Sequence, residues 1–423
     1  MPRRGWRRAG RLLALLAAAA FLAPADAAAQ QSPITAEHLE ALNGLFKQNG
    51  IAHGLAVRDS RGRIELKGEY ENEAEVDRAF SLAQTLVGIR WISPVTPEGI
   101  RVKEWEKRLG GLFARARVLS AASAGEPPGP VRRRYALVAG IGEFLYGQSA
   151  ANPRGITPLQ FAARDAASFH RFLVDPRRGG FPAENVIFLT DRDATLANIT
   201  AGLARIRERA EPDDLVAVYL SSHGTPPDKF GGVFVVAYDT QVQPREAVWR
   251  TAVSETLLRD FVENLRAKRL VMILDTCYSN GAYRAVPGFL PPGGKSLGAG
   301  EEEGYGLSAG FGRRLLGAKD LVAEGPSAPP AAAPGAAEGW GKVLIGASGA
   351  GERSWESDQL NNSIFTYYYL EGLNRGNGSV RQAFYHAKPL VSQRVKQEKG
   401  VDIDQTPQAM ATQPNWEMRL AAR

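Results

Sequence analysis

The 423-residue chain holds a single cysteine, Cys277, so no internal disulfide can form. A disulfide-stapled secreted scaffold is excluded, and so are Cys-rich tetrahedral zinc sites. No cysteine follows the N-terminal leader where a lipid could be attached. Histidine is nearly as scarce, with five in the chain. Beyond the leader no apolar run is long enough to cross a bilayer. No basic stripe interleaved with aromatics accompanies the net charge of +7, so no nucleic-acid partner is expected. No Gly-x-Ser-x-Gly elbow accompanies the Ser222-His223-Gly224 strand end, so serine-hydrolase chemistry has little support there.

What is present is enough for a sizeable core: 44% apolar and 23% charged residues over a length that suggests two or three domains. The positive charge is concentrated at the start, where Arg3, Arg4, Arg7, Arg8 and Arg11 stand against Asp26. A run of only Leu, Ala and Phe from Leu12 to Leu22 follows, then Ala27 and Ala29. This layout reads as a signal peptide over residues 1–29, cut after Ala29. The expected destination is the periplasm or the outside of the cell. A lone thiol exported to an oxidising compartment is a liability unless it is deeply buried or has a job, which directs attention to Cys277.

Residues 34–47 read as a short amphipathic helix. Ile64, Leu66, Gly68 and Tyr70 alternate with Arg63, Glu65, Lys67 and Glu69, a strand with one dry face. Leu55 and Val57 end a preceding strand, with Ser60-Arg61-Gly62 as the turn. Val76, Ala79, Phe80, Ala83, Leu86 and Val87 recur at helical spacing up to Gly88, and Ile89 to Val95 reads as a further strand. This strand–strand–helix–strand unit, carrying IELKGEY and VGIRWISPV, resembles the BON domain of bacterial envelope proteins. The resemblance implies contact with envelope phospholipid rather than chemistry. The module is placed at 34–118, and the Pro/Gly-rich stretch that follows makes 119–133 a linker.

From Arg134 onward, continuous apolar runs alternate with helical stretches. The runs are Tyr135–Ile141, Val186–Leu189, Leu215–Leu220, Val233–Val236, Leu270–Leu274 and Val343–Ile345. Helices are expected over Leu159–Val174, Leu196–Ala210, Ser254–Leu265, Ser363–Leu373 and Val380–Val395. The fold class is therefore α/β, a mostly parallel sheet with helices on both faces. Residues 281–339 interrupt the order. Gly, Ala and Pro fill 33 of those 59 positions, as expected for a flexible loop.

Two strand ends carry candidate chemistry. Leu215–Leu220 runs into Ser221-Ser222-His223-Gly224, and Leu270–Leu274 runs into Asp275-Thr276-Cys277. Functional residues collect beyond the carboxyl ends of parallel strands. A cysteine nucleophile needs a thiolate, and a neighbouring imidazole can take or balance the proton. The N–H groups of Gly224 and Cys277 are candidate oxyanion donors. His38, His53, His170 and His386 lie in the front module or within helices and are weaker candidates.

YALVAGIGEF, FAARDAASF, NVIFLTDRDAT, DLVAVYLSSHG and RLVMILDTCYSNG stand in the order seen in caspase-like peptidases, the clan of caspases, metacaspases and bacterial orthocaspases. GASGAGERSWES, SIFTYYYLEGL and QTPQ complete the resemblance, which covers residues 134–418. It implies a cysteine endopeptidase with His223 and Cys277 as the catalytic pair, acting on proteins or peptides, as a monomer, without metal or cofactor. In metacaspases the aspartates matching Asp165 and Asp275 line a pocket for Arg or Lys, and Ser221 joins them as a candidate substrate-binding residue. Basic specificity would make the exposed Arg313-Arg314 pair a candidate self-cleavage site.

Two departures stand out. Ser222 occupies the place of the family's glycine before the histidine, where a side chain either crowds the cleft or points away. Asn280, Gly281 and Ala282 follow the nucleophile where calcium-dependent metacaspases carry acids, which argues against calcium activation. The rival to an enzyme is a catalytically silent caspase-like scaffold that binds protein or envelope lipid.

Overall fold

A computed structural model of the chain describes residues 32–95, 99–103, 127–153, 155–225, 234–244, 246–276, 279–280, 303–304, 322–323, 339–349, 352–413 and 415–421. The leader, Cys277 and Arg313-Arg314 lie outside the described residues.

The front module begins with α1 (Ala36–Gln48), capped by Thr35 in a capping box with His38. The expected hairpin of β1 (Gly54–Arg58) and β2 (Ile64–Tyr70) follows, with Gly54 opposite Gly68. Asn72 caps α2 (Glu73–Val87), and Gly88, at φ 79°, ends it. Ile89–Val95 is not the expected strand. Residues Ile89–Trp91 form a 3-10 turn, and Ile89, Ile92 and Val95 are buried at period three rather than two. This stretch makes one isolated bridge, Ile64 to Ile92. The third strand is β3 (Ile100–Val102), parallel to β2.

The body is built on a seven-stranded sheet. Its strands are β4 (Arg134–Gly140), β5 (Val186–Thr190), β6 (Leu215–Ser221), β9 (Arg269–Asp275), β12 (Val322–Ala323), β13 (Gly341–Gly346) and β16 (Gln408–Ala411), in the order β12-β16-β13-β9-β6-β4-β5. The five strands from β13 to β5 run parallel. β16 and β12 add an antiparallel edge. Within the stretch expected to be a plain loop, Val322–Ala323 thus supplies an edge strand, and β11 (Glu303–Gly304) pairs with β10 (Ser279–Asn280). Further on, β14 (Glu356–Ser357) pairs with β15 (Asn362–Ser363). The described part of the run Val233–Val236 does not join the seven-stranded sheet: β7 (Phe234–Val235) pairs antiparallel with β8 (Val253–Ser254) in a two-stranded sheet.

Side-chain parity assigns the two faces of the sheet. Leu137, Ala139, Val216, Val218, Leu220, Leu270, Met272 and Leu274 share one core with residues of α4 (Leu196–Arg209) and α6 (Glu255–Asn264). Ala136, Val138, Ala217, Tyr219, Val271 and Ile273 face the other way. There they meet α3 (Ala162–Val174), α7 (Ile364–Arg375) and α8 (Val380–Lys399). The described end of the expected linker is bound to the body, with Gly129 N–H on Asp213 Oδ1 at 2.8 Å.

Candidate active site

The chain leaves β4 for β5 on one side and reaches β6 on the other. The carboxyl ends of β4 and β6 therefore form the switch point at which α/β sheets place their sites. Ile141, just past β4, donates its N–H to the Ser221 carbonyl at 2.9 Å. Ser221 is paired in register with Gly140 on one side and Asp275 on the other.

His223, two residues beyond Ser221, is fully buried. Its Nε2 lies 2.7 Å from the Thr157 carbonyl. A carbonyl can only accept, so Nε2 carries a proton. The Phe144 ring packs on the imidazole with centroids 5.5 Å apart. The loop bearing Phe144 is pinned in turn, since Gly142 and Glu143 both donate their N–H groups to Asp191 Oδ1, at 2.9 and 3.0 Å.

The Ser222 side chain points away from the cleft. Its Oγ donates to the Val236 carbonyl at 2.8 Å, and the Val236 N–H returns a bond to the His223 carbonyl at 2.9 Å. Gly224 faces Val235 in an isolated antiparallel bridge, and this return bond uses the His223 carbonyl rather than the Gly224 N–H.

The two acids meet on the far face of the sheet. Asp275 has the parity of Val271 and Ile273, and so points to the side covered by α3 and α7. It accepts from Ser354 Oγ and Thr366 Oγ1, both at 2.7 Å. Thr366 Oγ1, having donated to the carboxylate, accepts the Tyr219 hydroxyl at 2.7 Å. Burial holds the Tyr219 phenol far above its ordinary pKa, and the charges of Asp275 and Asp165 raise it further. Tyr219 is therefore a neutral donor flanked by both carboxylates.

Asp165 lies in the first turn of α3, yet its carboxylate serves the start of a different helix. It accepts the N–H of Ser363, the residue capping α7, at 3.0 and 3.1 Å, and Asn362 Nδ2 at 2.8 Å. Glu356 returns the arrangement by accepting the N–H groups of Gln160 and Phe161 at 3.0 and 2.8 Å, just before α3. Gly140 permits this closeness. A Cβ there would stand 2.3 Å from the Ala162 carbonyl oxygen.

The structure thus gathers His223, Gly224 and Ser221 at one strand end, and Asp165 with Asp275 around Tyr219. Cys277 and Arg313-Arg314 fall outside the described residues, although the strand leading to Cys277 ends at Asp275, register partner of Ser221. Thr157, Phe144, Asp191, Tyr219, Ser354, Thr366 and Glu356 were not singled out from the sequence. All but Thr157 lie within blocks the resemblance had flagged, and no periodicity marks them individually.

A doubly wound α/β sheet with a histidine at its switch point defines the class of fold. The Peptidase C14 caspase-domain family matches residues 133–417, and the chain belongs to that family. It thus carries a caspase-type cysteine-peptidase domain. Arabidopsis thaliana Metacaspase-4 is 28% identical over 169 residues, 38% of this chain and 39% of that protein. The chain therefore aligns with well under half the length of that relative. Similar solved structures include a Geobacter sulfurreducens protein (TM-score 0.43, 14% identity, 68% of this chain and 97% of that one). Caspase-1 from Spodoptera frugiperda is another (TM-score 0.38, 15% identity, 72% and 98%).

Proposed function

We propose that the chain is an exported cysteine endopeptidase that cleaves after Arg or Lys with Cys277 as nucleophile and His223 as proton carrier. The observation that carries the reading is the commitment of His223 Nε2 to the Thr157 carbonyl, at the end of the strand paired with the one leading to Cys277. That bond fixes the ring and leaves Nδ1 to exchange protons. The Cys277 thiolate attacks the scissile carbonyl carbon, and the oxyanion is met by the N–H groups of Gly224 and Cys277. His223 Nδ1–H gives its proton to the leaving amine as the C–N bond breaks, leaving a thioester. Water, deprotonated by the same nitrogen, then cleaves the thioester to release the carboxylic product and return the thiol.

Basic specificity is supported by the pair of buried carboxylates around Tyr219, a setting that favours a guanidinium and repels a carboxylate. Export rests on the leader at residues 1–29. Envelope attachment rests on the BON-like order of strand, strand, helix and strand in the front module. Activity is expected to be independent of calcium.

The test compares the mature protein with Cys277→Ala and His223→Ala on peptides ending in Arg, Lys or Asp, with reductant, with and without calcium. Cleavage after Arg or Lys that both variants lose is the expected result. Cleavage after Asp would sink the acidic pocket but keep the enzyme. A folded parent that cuts nothing, even after cleavage at Arg314, would favour the binding scaffold.

A further inference from the structure

The front module and the peptidase domain share a core. Val248, Trp249 and Ala252, on and just after α5 (Ala247–Thr251), are buried with Val76, Phe80 and Ala83 of the front module. The Phe80 and Trp249 rings meet edge to face with centroids 5.9 Å apart. Arg250 reaches the Asp77 carboxylate at 3.3 Å. Val242 packs against this core and also against the sheet's core. A segment of one domain that completes the core of another forms a specific interface.

The same segment connects to His223 by two short routes. Immediately after it, β8 pairs with β7, Val253 opposite Val235, and the adjoining Val236 exchanges bonds with Ser222 and His223. The second route is a staple. Thr240 Oγ1 donates to the Thr251 carbonyl at 3.1 Å and accepts the Ala237 N–H at 2.8 Å, one residue from Val236. Trp249 is thus linked to the histidine loop by covalent chain and hydrogen bonds at every step.

We infer that the front module is a positioning element for the histidine. Docked on α5, it holds the β7–β8 strand pair, and through it the His223 backbone, in the geometry that proton transfer requires. The inference rests on the reading of His223 as the proton carrier. Phe80 and Trp249 are positioning residues that act through residues 234–236. Ser81 and Gln84 share the α2 face of Asp77 and Phe80, and Ser81 Oγ and both Gln84 amide atoms are buried without a hydrogen-bond partner. By linkage, a ligand that binds the docked module preferentially also favours the working site.

The test uses the full chain carrying Phe80→Ala or Trp249→Ala, with Trp249→Phe as the conservative variant, each checked for cooperative unfolding. Both alanine variants should lower kcat about tenfold to a hundredfold, as expected for misplacement of a catalytic group, with KM held within about twofold. Trp249→Phe should recover most of the loss, and amide exchange over residues 219–225 should accelerate in the alanine variants. If Trp249→Ala does not fold, Phe80→Ala and Arg250→Ala, the latter at a side chain 48% exposed, carry the test in the same direction. A folded Phe80→Ala whose kcat stays within about twofold of the parent overturns the inference and leaves the peptidase reading standing. A parent without Cys277-dependent cleavage overturns the peptidase reading, and the inference with it.

Discussion

Replacing Thr366 by Val tests the buried chain from Tyr219 through Thr366 to Asp275. Valine keeps the shape of threonine but removes the hydroxyl that accepts from Tyr219 and donates to Asp275, each at 2.7 Å. All three residues are at most 1% exposed, so water cannot take its place without rearrangement. A neutral bond contributes about 1 kcal/mol and one to a carboxylate about 1.5–3 kcal/mol, so the substitution should cost about 2.5–4 kcal/mol. Tyr219→Phe removes only the first bond and should cost about 1 kcal/mol. In the double variant that bond is counted once, so the two losses should fall short of additivity by about 1 kcal/mol. Urea unfolding of the four proteins, followed by tryptophan fluorescence, measures each term. Full additivity, or a Thr366→Val cost below about 0.5 kcal/mol, would refute the chain.

Two further outcomes follow from the site and its surroundings. Ser222→Gly removes the bond to the Val236 carbonyl while keeping the return bond to His223, so stability should fall by about 1 kcal/mol. Peptidase activity should persist in that variant, and its loss would contradict a Ser222 side chain turned away from the cleft. His170 stacks on Phe188 with centroids 4.4 Å apart, and desolvation lowers its pKa. The unfolded chain therefore binds that proton more readily, and stability contributed by neutral His170 should be lost as pH falls through the ordinary histidine value of about 6.5. His170→Phe should flatten that part of the stability–pH curve, and an unchanged slope would remove His170 from the account.

The strands of the parallel core were legible because they are buried on both faces, so their apolar residues run without a break. Leu215–Leu220 and Leu270–Leu274 each proved one residue short at one or both ends. Ile89–Val95 was misread because three buried apolar residues at period three resemble a short strand when the turn geometry is unseen. Val233–Val236 was apolar enough for the sheet, but its partner is the nearby 253–254 segment. The antiparallel strand at 408–411 could not be read locally, since QAMA has no strong periodicity and exists as a strand by pairing with Val343–Gly346 on one side and Val322–Ala323 on the other.

By itself, the sequence determined which residues stand at the ends of β6 and β9, because covalent order and the length of an apolar run settle where a strand stops. It also marked Asp165 and Asp275 as worth following. Only the tertiary structure decided what those side chains meet. The backbone carbonyl that orients His223 lies 66 residues away in the chain. Thr366 lies 91 residues from Asp275, and the hydrophobic partner of Phe80 is a tryptophan in another domain. Such contacts leave no trace in local spacing, because packing and hydrogen bonding select partners by distance in space rather than along the chain.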